Sequence, residues 1–229
     1  MREDICSIPI SEVFEPRDGC PICRMRDIAE QRGVEYTLGA AMMEPDVRQM
    51  TNKLGFCGTH YEKMIGLQKR LPLGLVLESH LAHLKDELSG GGLFGPPAKK
   101  TAYKTAQLKQ TCFVCERMEW AMSRMVSSIY RLYDNERDFR TLFAEQPQIC
   151  LPHFTMLIEG SAAALRAPRL KEFQAAAKEI LLRNIDELHA DLKHFCSMFD
   201  YRNNTPDADW GTSRDSIERS IAFLTAGKE

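Results

Sequence analysis

The stretch TCFVCERMEWAMSRMVSSIYRL, residues 111–132, joins a pair of cysteines to a long run with helical spacing. Cys112 and Cys115 are separated by two residues, and apolar side chains then recur at intervals of three or four. The same pattern begins at CPIC, residues 20–23. This spacing is typical of an amphipathic helix, so each stretch predicts a helix whose first turn carries two thiols.

Cysteine–histidine pairs with the same two-residue spacing follow each of these helices. They lie in GFCGTHY, residues 55–61, and in QICLPHF, residues 148–154. Eight cysteines and six histidines scattered at random over 229 residues would give about 0.2 pairs of each kind, so two of each indicate a pattern. In order, the four pairs are Cys20 with Cys23, Cys57 with His60, Cys112 with Cys115, and Cys150 with His153.

The order of the pairs predicts an internal duplication. Cys-x-x-Cys precedes Cys-x-x-His in both halves, with 33 intervening residues in the first (57 − 23 − 1) and 34 in the second (150 − 115 − 1). EPDVR at 44–48 and ERDFR at 136–140 are 92 positions apart, the offset that superimposes the two Cys-x-x-Cys pairs. A one-residue insertion before the second Cys-x-x-His raises the offset to 93. We interpret this as a repeated unit of about 45 to 60 residues.

We predict an all-α fold, a helical bundle built from two tandem metal-binding repeats, a long C-terminal helix and a docked tail. Helical periodicity recurs along the chain, and no alternating pattern predicts a strand. SGGGLFGPPAKK is rich in glycine and proline, as linkers are. The predicted boundaries are 1–88 for the first repeat, 89–100 for the linker, 101–168 for the second repeat, and 169–229 for the long helix and tail.

Thiolate and imidazole ligands together favour a tetrahedral zinc site of the Cys3His type. We predict two zinc ions per chain. The first is assigned to Cys20, Cys23, Cys57 and His60, and the second to Cys112, Cys115, Cys150 and His153. Exchanging pairs between the halves gives the same ligand list, so the sequence leaves both arrangements open. Each site offers four protein ligands and no free position, which favours a structural ion over a catalytic one.

Three classes of function fit these ligands. The first is a non-enzymatic, metal-stabilised binding or adaptor protein. The second is an electron-transfer or redox-sensing protein, because three cysteines and a histidine also suit an iron–sulfur cluster. The third is an enzyme or metal-handling protein whose site can open. A c-type haem is disfavoured, since arginine and glutamate follow the two Cys-x-x-Cys pairs where histidine would be needed.

Two further sets of polar residues allow more than one interpretation. Asp46 and Asp138 occupy matching positions, and they either complement a helix dipole or orient the metal-bound histidines. We prefer the helix dipole. His80 and His83 have the spacing of a metal pair but lack further ligands nearby, so we interpret them as packing residues.

Composition and charge limit the classes of molecule that the chain is expected to bind. The formal net charge is −2 and the sequence pI is about 6.3, so no global positive field draws the chain to nucleic acid. The N-terminal segment does not resemble a signal peptide, and no apolar run reaches the length of a membrane span. We expect a cytoplasmic protein with a protein or small-ligand partner and an unknown oligomeric state.

With these residues in view, the chain resembles the domain-of-unknown-function family numbered 6062. The resemblance rests on CPIC, on EYTLGAAMMEPDVRQMTNKLGFCGTHYEKM, on the SHL that follows, and on the tail FDYRNNTPDADWGTSRDSIERSI, with CFVC and CLPH in the second half. It implies a bacterial or archaeal cytosolic protein and transfers no catalytic residue. It also implies that the tail belongs to the folded unit, held by Phe199, Tyr201 and Trp210.

Overall fold

The computed structural model describes residues 10–89, 98–108, 110–203, 205 and 208–227. These residues form 11 α-helices and two short 3-10 helices, and no strand occurs among them. The predicted all-α class is therefore confirmed. None of the helices in these ranges has the length and apolar character needed to cross a membrane.

The α-helices follow one another with short connections. Their bounds are α1 Ile10–Phe14, α2 Pro21–Thr37, α3 Pro45–Leu54, α4 Gly58–Gly66, α5 Arg70–Ser89, α6 Ala98–Leu108, α7 Phe113–Asn135, α8 Arg137–Ala144, α9 Leu151–Ala164, α10 Arg169–Ser197 and α11 Ser216–Thr225. The 3-10 helices are Ala40–Met43 and Gly211–Ser213. The long C-terminal helix of the prediction is α10, whose 29 residues extend for about 43 Å.

The chain divides into two compact units, and the predicted repeat boundaries stay a prediction. Asp27–Ser123 forms the central unit, and the described residues of 7–26 and 124–229 form the flanking unit. The central unit has described residues on both sides of 90–97, the part of the predicted linker that lies outside the described residues. Each unit thus combines segments from both predicted repeats. The duplication itself stays a prediction.

The order of elements nevertheless matches between the two halves. A long helix (α2 or α7) is followed by a short one (α3 or α8) and then by a helix capped by a cysteine (α4 or α9). Asp46 and Asp138 lie in the first turns of α3 and α8, where a carboxylate stabilises the positive end of the helix dipole. This agrees with the preferred interpretation of the two aspartates.

Mostly aliphatic side chains, together with Phe56 and Phe113, form the core of the central unit. Leu38, Met64, Val76 and Phe113 are buried there, and the side chains of Cys57 and Cys115 pack on the edge of the same cluster. Burial of each large apolar side chain contributes about 1.5–3 kcal/mol. The thiols of this unit therefore lie against a packed apolar interior.

Aromatic rings form the core of the flanking unit. Phe173 is fully buried, with its ring centroid 4.9 Å from that of Tyr133 and 5.0 Å from that of Phe143. Phe143 also stacks on Phe14 at 6.0 Å. Such ring pairs add about 0.5–1.5 kcal/mol beyond the area they bury.

The C-terminal segment packs within the flanking unit, as predicted. Helix α11 contacts α9 and α10, and the Trp210 ring lies 5.8 Å from Phe195 and 6.0 Å from Phe199. The expectation for Tyr201 is wrong, because this side chain is 85% exposed. The side chain follows α10 in a turn, and the Arg202 guanidinium lies 5.8 Å from the centroid of its ring.

Candidate metal centres

The four ligand pairs all lie at helix N-termini. The carbonyl of the first cysteine in each pair accepts a hydrogen bond from the backbone N–H four residues later, at 2.8–3.2 Å. The second ligand of each pair lies in the first turn. Unpaired N–H groups and the positive end of the helix dipole stabilise a thiolate at this position. Pro21 and Pro152 are tolerated because a first-turn N–H has no helical partner.

Cluster 1 consists of Cys57, His60, Cys112 and Cys115 and lies in the central unit. The Nδ1 atom of His60 is 3.1 Å from Cys57 Sγ, 3.2 Å from Cys112 Sγ and 3.5 Å from Cys115 Sγ. The Sγ atoms of Cys57 and Cys115 are 4.0 Å apart. Three sulfurs thus surround one ring nitrogen.

Two hydrogen bonds hold the two chain segments of cluster 1 side by side. The N–H of Phe113 donates to the Gly55 carbonyl at 3.0 Å, and the Thr111 hydroxyl donates to the Leu54 carbonyl at 2.8 Å. Gly55 has a φ of +60°, and a Cβ there would lie 3.1 Å from the His80 ring. A glycine is therefore required where the chain turns from α3 towards Cys57.

Cluster 2 consists of Cys20, Cys23, Cys150 and His153 and lies in the flanking unit. Its geometry repeats that of cluster 1. The Nδ1 atom of His153 is 3.7 Å from Cys20 Sγ, 3.3 Å from Cys23 Sγ and 3.1 Å from Cys150 Sγ. The Sγ atoms of Cys23 and Cys150 are 3.6 Å apart.

These distances fit a single tetrahedral metal ion. Zinc bond lengths of about 2.3 Å to sulfur and about 2.0 Å to nitrogen place ligand sulfurs about 3.8 Å apart and sulfur about 3.5 Å from nitrogen. All four ligand atoms of each cluster lie within 4.8 Å of one another. The sulfur–sulfur separations are far longer than a disulfide bond of about 2.05 Å, and all six cysteines of the clusters are free thiols.

The predicted pairing within each half is wrong, and the exchanged arrangement is the one that the structure has. Each cluster takes Cys-x-x-Cys from one half and Cys-x-x-His from the other. Helix length explains the exchange. After Cys23, α2 continues for 14 residues (37 − 23), about 21 Å, whereas α3 has only 10 residues, about 15 Å, to bring the chain back. The first Cys-x-x-His therefore stops short of the start of α2.

Burial and crowding oppose the presence of several negative thiolates in one cluster. Burial, and then the nearby Cys112, raise the pKa of Cys115 to about 12. A hydrogen bond to Cys20 is the main reason that the pKa of Cys150 rises to about 12. The partners of Cys20, first Cys150 and then Cys23, lower the pKa of the Cys20 thiol. A cation at the centre would remove this conflict by allowing every thiol to ionise.

A carboxylate that the sequence did not reveal lies behind His60. Glu30 Oε1 is 3.0 Å from His60 Nε2, and the other oxygen of Glu30 forms an ion pair with Lys63. Burial lowers the pKa of His60 despite this charge, which keeps the ring neutral as a metal ligand must be. Asp46 was the alternative for this role, and the structure assigns the position to Glu30 instead. The only sequence signal was a glutamate on α2, the long helix that carries the first Cys-x-x-Cys pair.

The remaining candidate ligands do not join a metal cluster. Within the described ranges, the two clusters are the groups of cysteine, histidine and carboxylate side chains that converge at metal-binding distances. His80 is buried, and its Nδ1 donates to the Asn52 carbonyl at 2.8 Å, as expected of a packing residue. Cys196 is exposed and lies outside both clusters, and Cys6 lies outside the described residues.

Comparison with known proteins identifies a family. The model of a family described as "Family of unknown function (DUF6062)" matches residues 1–229. No curated protein and no solved structure matches the chain. The whole-length match agrees with the resemblance inferred from the cysteine motifs and the tail.

Proposed function

The chain belongs to this family of unknown function, and we propose that it is a non-enzymatic binding or adaptor protein whose helices are held by two structural zinc ions. The main support is the convergence of three thiols and one imidazole nitrogen in each cluster. Zinc is the metal whose preferred ligands and tetrahedral geometry suit this set. The metal-binding character of the chain is therefore the starting point for its function.

The small size of each cluster supports one ion in preference to an iron–sulfur cluster. An iron–sulfur cluster distributes its cysteine ligands over two or more irons, so ligands on different irons are separated by the width of the cluster. Here every pair of ligand atoms lies within 4.8 Å. The sulfur–nitrogen contacts between Cys57 and His60 and between Cys150 and His153, both at 3.1 Å, support this choice because ligands of one ion lie about 3.5 Å apart.

The closed coordination supports a structural role. A catalytic zinc ion keeps one position for water or substrate, whereas each of these clusters offers four protein ligands. In cluster 1 the Cys112 side chain is buried beside Phe113 and Met64 in the core. Because such an ion serves the fold, we assign the activity to surfaces that the helices present to a partner. We also propose a reducing compartment, the cytoplasm, because there thiols are kept free to bind metal.

Elemental analysis tests this proposal most directly. We would purify the full chain without added metal and without oxygen, then measure its metal content and its visible spectrum. Two zinc ions per chain and no colour are the expected result. Iron with broad absorption near 400 nm, about where charge transfer from sulfur to iron absorbs, would replace the zinc proposal with a redox protein.

Single-ligand variants link the metal content to the residues. Cys57→Ser and Cys150→Ser should each reduce the content from two ions to one, because each removes one ligand from a different cluster. Cys196→Ser is the matched control, since it removes an exposed thiol outside both clusters. A content of two ions in both ligand variants would contradict the assigned ligands.

A further inference from the structure

The side chains behind His60 suggest how one of the two clusters is tuned. His60 is 4% exposed and Glu30 14% exposed at the side chain, so the two groups meet away from bulk solvent. Their separation of 3.0 Å is within reach of a hydrogen bond. The contact with Glu30 is not aligned as a hydrogen bond. His60 Nε2 is therefore buried without a hydrogen-bond partner among the described residues.

Metal binding would determine which nitrogen of His60 carries the proton. The three sulfurs of cluster 1 surround Nδ1, so Nδ1 is the nitrogen that would bind the ion. The proton of the neutral ring then lies on Nε2 and points away from the metal. A buried N–H without an acceptor is destabilising, and the carboxylate of Glu30 is the acceptor within reach.

Lys63 completes this arrangement. It forms an ion pair with the second oxygen of Glu30, and it lies one turn after His60 on α4. The lysine balances the negative charge that the carboxylate brings towards the thiolates. Glu30 can therefore approach the cluster without an uncompensated charge behind it.

The second half of the chain lacks both groups at the equivalent positions. The offset of 92 that relates the Cys-x-x-Cys pairs places Met122 at the position of Glu30 (30 + 92). The offset of 93 that relates the Cys-x-x-His pairs places Met156 at the position of Lys63 (63 + 93). Among the described residues, no carboxylate forms an ion pair with His153. The charged pair is thus a feature of cluster 1.

We propose that Glu30 is a positioning residue for the metal ligand His60, and that this contact distinguishes cluster 1 from cluster 2. The inference rests on the proposed metal binding. Carboxylates behind metal-bound histidines fix the ring and strengthen the ligand, and their loss lowers metal affinity by about 10–100-fold. The contact gives cluster 1 a support for its histidine that the described surroundings of cluster 2 do not provide.

The test uses the zinc-loaded full chain with ¹⁵N-labelled histidine. Nuclear magnetic resonance of the ring nitrogens reports which nitrogen binds zinc and how fast the other N–H exchanges with water. In the wild-type protein we expect zinc to be bound to Nδ1 of both His60 and His153. The His60 Nε2 proton should exchange slowly with water. A zinc-transfer assay with a coloured chelator measures the release rate of each ion.

Glu30→Gln is the central variant, because it removes the charge with little change in shape. We expect exchange of the His60 Nε2 proton to be at least about tenfold faster and one ion to be released about 10–100-fold faster. The His153 signals should not change. Glu62→Gln is the matched control, because Glu62 is an exposed glutamate on α4 that undergoes the same chemical change.

Each other outcome overturns the proposal. If Glu30→Gln behaves like Glu62→Gln in a wild-type background that binds two zinc ions, the role of Glu30 is refuted while the metal sites stand. If the wild-type chain takes up no zinc, the proposed function fails and the inference fails with it. Glu30→Met, with the residue found in the second half, is the second variant. If neither Glu30 variant folds in zinc while Glu62→Gln does, Glu30 serves helix packing instead.

Discussion

Clusters 1 and 2 have the same four ligand atoms at the same kind of helix start, but they connect chain segments of very different separation. In cluster 1 the two ligand pairs are separated by 51 residues (112 − 60 − 1), and in cluster 2 by 126 residues (150 − 23 − 1). Closing the longer segment costs about 0.8 kcal/mol more in chain entropy. Clusters with identical ligand types therefore close chain segments of different length and entropy cost.

The immediate surroundings of the clusters differ as well. Cluster 1 has the charged pair of Glu30 and Lys63 behind its histidine. Cluster 2 has the Ala226 carbonyl 3.9 Å from Cys23 Sγ, and Arg26 donates to the same carbonyl at 2.8 Å. The two clusters thus share one arrangement of ligand atoms but differ in the groups that contact those ligands.

Loss of a ligand should have the largest effect and should separate the two units. Structural zinc contributes about 10–16 kcal/mol of apparent binding free energy to small zinc domains, so Cys57→Ser or Cys150→Ser should lower the free energy of unfolding by several kcal/mol. Hydrogen exchange should show lost protection within 27–123 for Cys57→Ser. For Cys150→Ser the loss should fall in the flanking unit.

Cys196→Ser is the control for both variants and should change stability by less than about 0.5 kcal/mol. Equal loss of protection across both units in each ligand variant would show that the clusters do not support separate regions. A ligand variant that loses its ion but keeps the wild-type melting temperature would contradict a structural role.

The next largest effect should come from the aromatic core of the flanking unit. Phe173→Ala removes a fully buried ring that contacts Tyr130, Tyr133 and Phe143, and it should destabilise the protein by about 3–5 kcal/mol. Urea unfolding of the zinc-loaded protein measures this change. Tyr201→Ala, at an exposed ring, should have little effect, and similar losses in the two variants would refute the described core.

Zinc uptake should release protons from both clusters. The raised pKa values of Cys115 in cluster 1 and of Cys23 and Cys150 in cluster 2 mean that these thiols are protonated at neutral pH without metal. Zinc must displace these protons, so affinity rises with pH, by up to about tenfold per unit for each proton. For cluster 2, the two protons of Cys23 and Cys150 predict a rise in affinity of up to about a hundredfold per pH unit.

Calorimetric titration in buffers of different ionisation enthalpy counts the protons released. Cys57→Ser and Cys150→Ser, each with one intact cluster, assign the count to cluster 2 and cluster 1 respectively. An affinity that does not change between pH 6 and 8 would show that the thiols are already ionised before the metal binds.

The smallest predicted changes in stability come from alanine substitutions at two glycines with different surroundings. A Cβ at Gly160 on α9 would lie 2.5 Å from the Tyr130 hydroxyl, which donates to the Leu157 carbonyl, so Gly160→Ala should destabilise the protein by about 1–3 kcal/mol. Gly74 on α5 has no atom within 4 Å of the added Cβ, and Gly74→Ala should stabilise it by about 0.5–1 kcal/mol. Thermal unfolding measures both changes. Melting temperatures that shift in the same direction in the two variants would contradict the described surroundings of these glycines.

The sequence predicted those features that depend on neighbouring residues. A two-residue gap brings Cys112 and Cys115 together on one turn, and apolar residues at helical intervals predict α7 without knowledge of the rest of the fold. The N-terminal position of the ligands also followed from local signals, such as Pro152 beside Cys150. The all-α class and the ligand types could therefore be inferred before the structure was known.

The ligand pairing and the contact with Glu30 depend on how far each helix carries the chain. The difference in length between α2 and α3 decides where Cys57 and His60 arrive, and helix ends are the least accurate part of a prediction from sequence. Glu30 is one of many charged residues on an amphipathic helix, and only the structure brings it beside His60. Both features are long-range consequences of helix length.

The exchange of ligand pairs makes the two halves of the chain mutually dependent. A polypeptide of residues 1–88 would contain four ligands, Cys20, Cys23, Cys57 and His60, yet they are two halves of two separate clusters. It would complete a tetrahedral site only by associating with another polypeptide, in a reaction that slows on dilution. The covalent connection replaces that encounter with an intramolecular one, whose rate does not fall on dilution. Both candidate metal centres can then assemble within one molecule at any protein concentration.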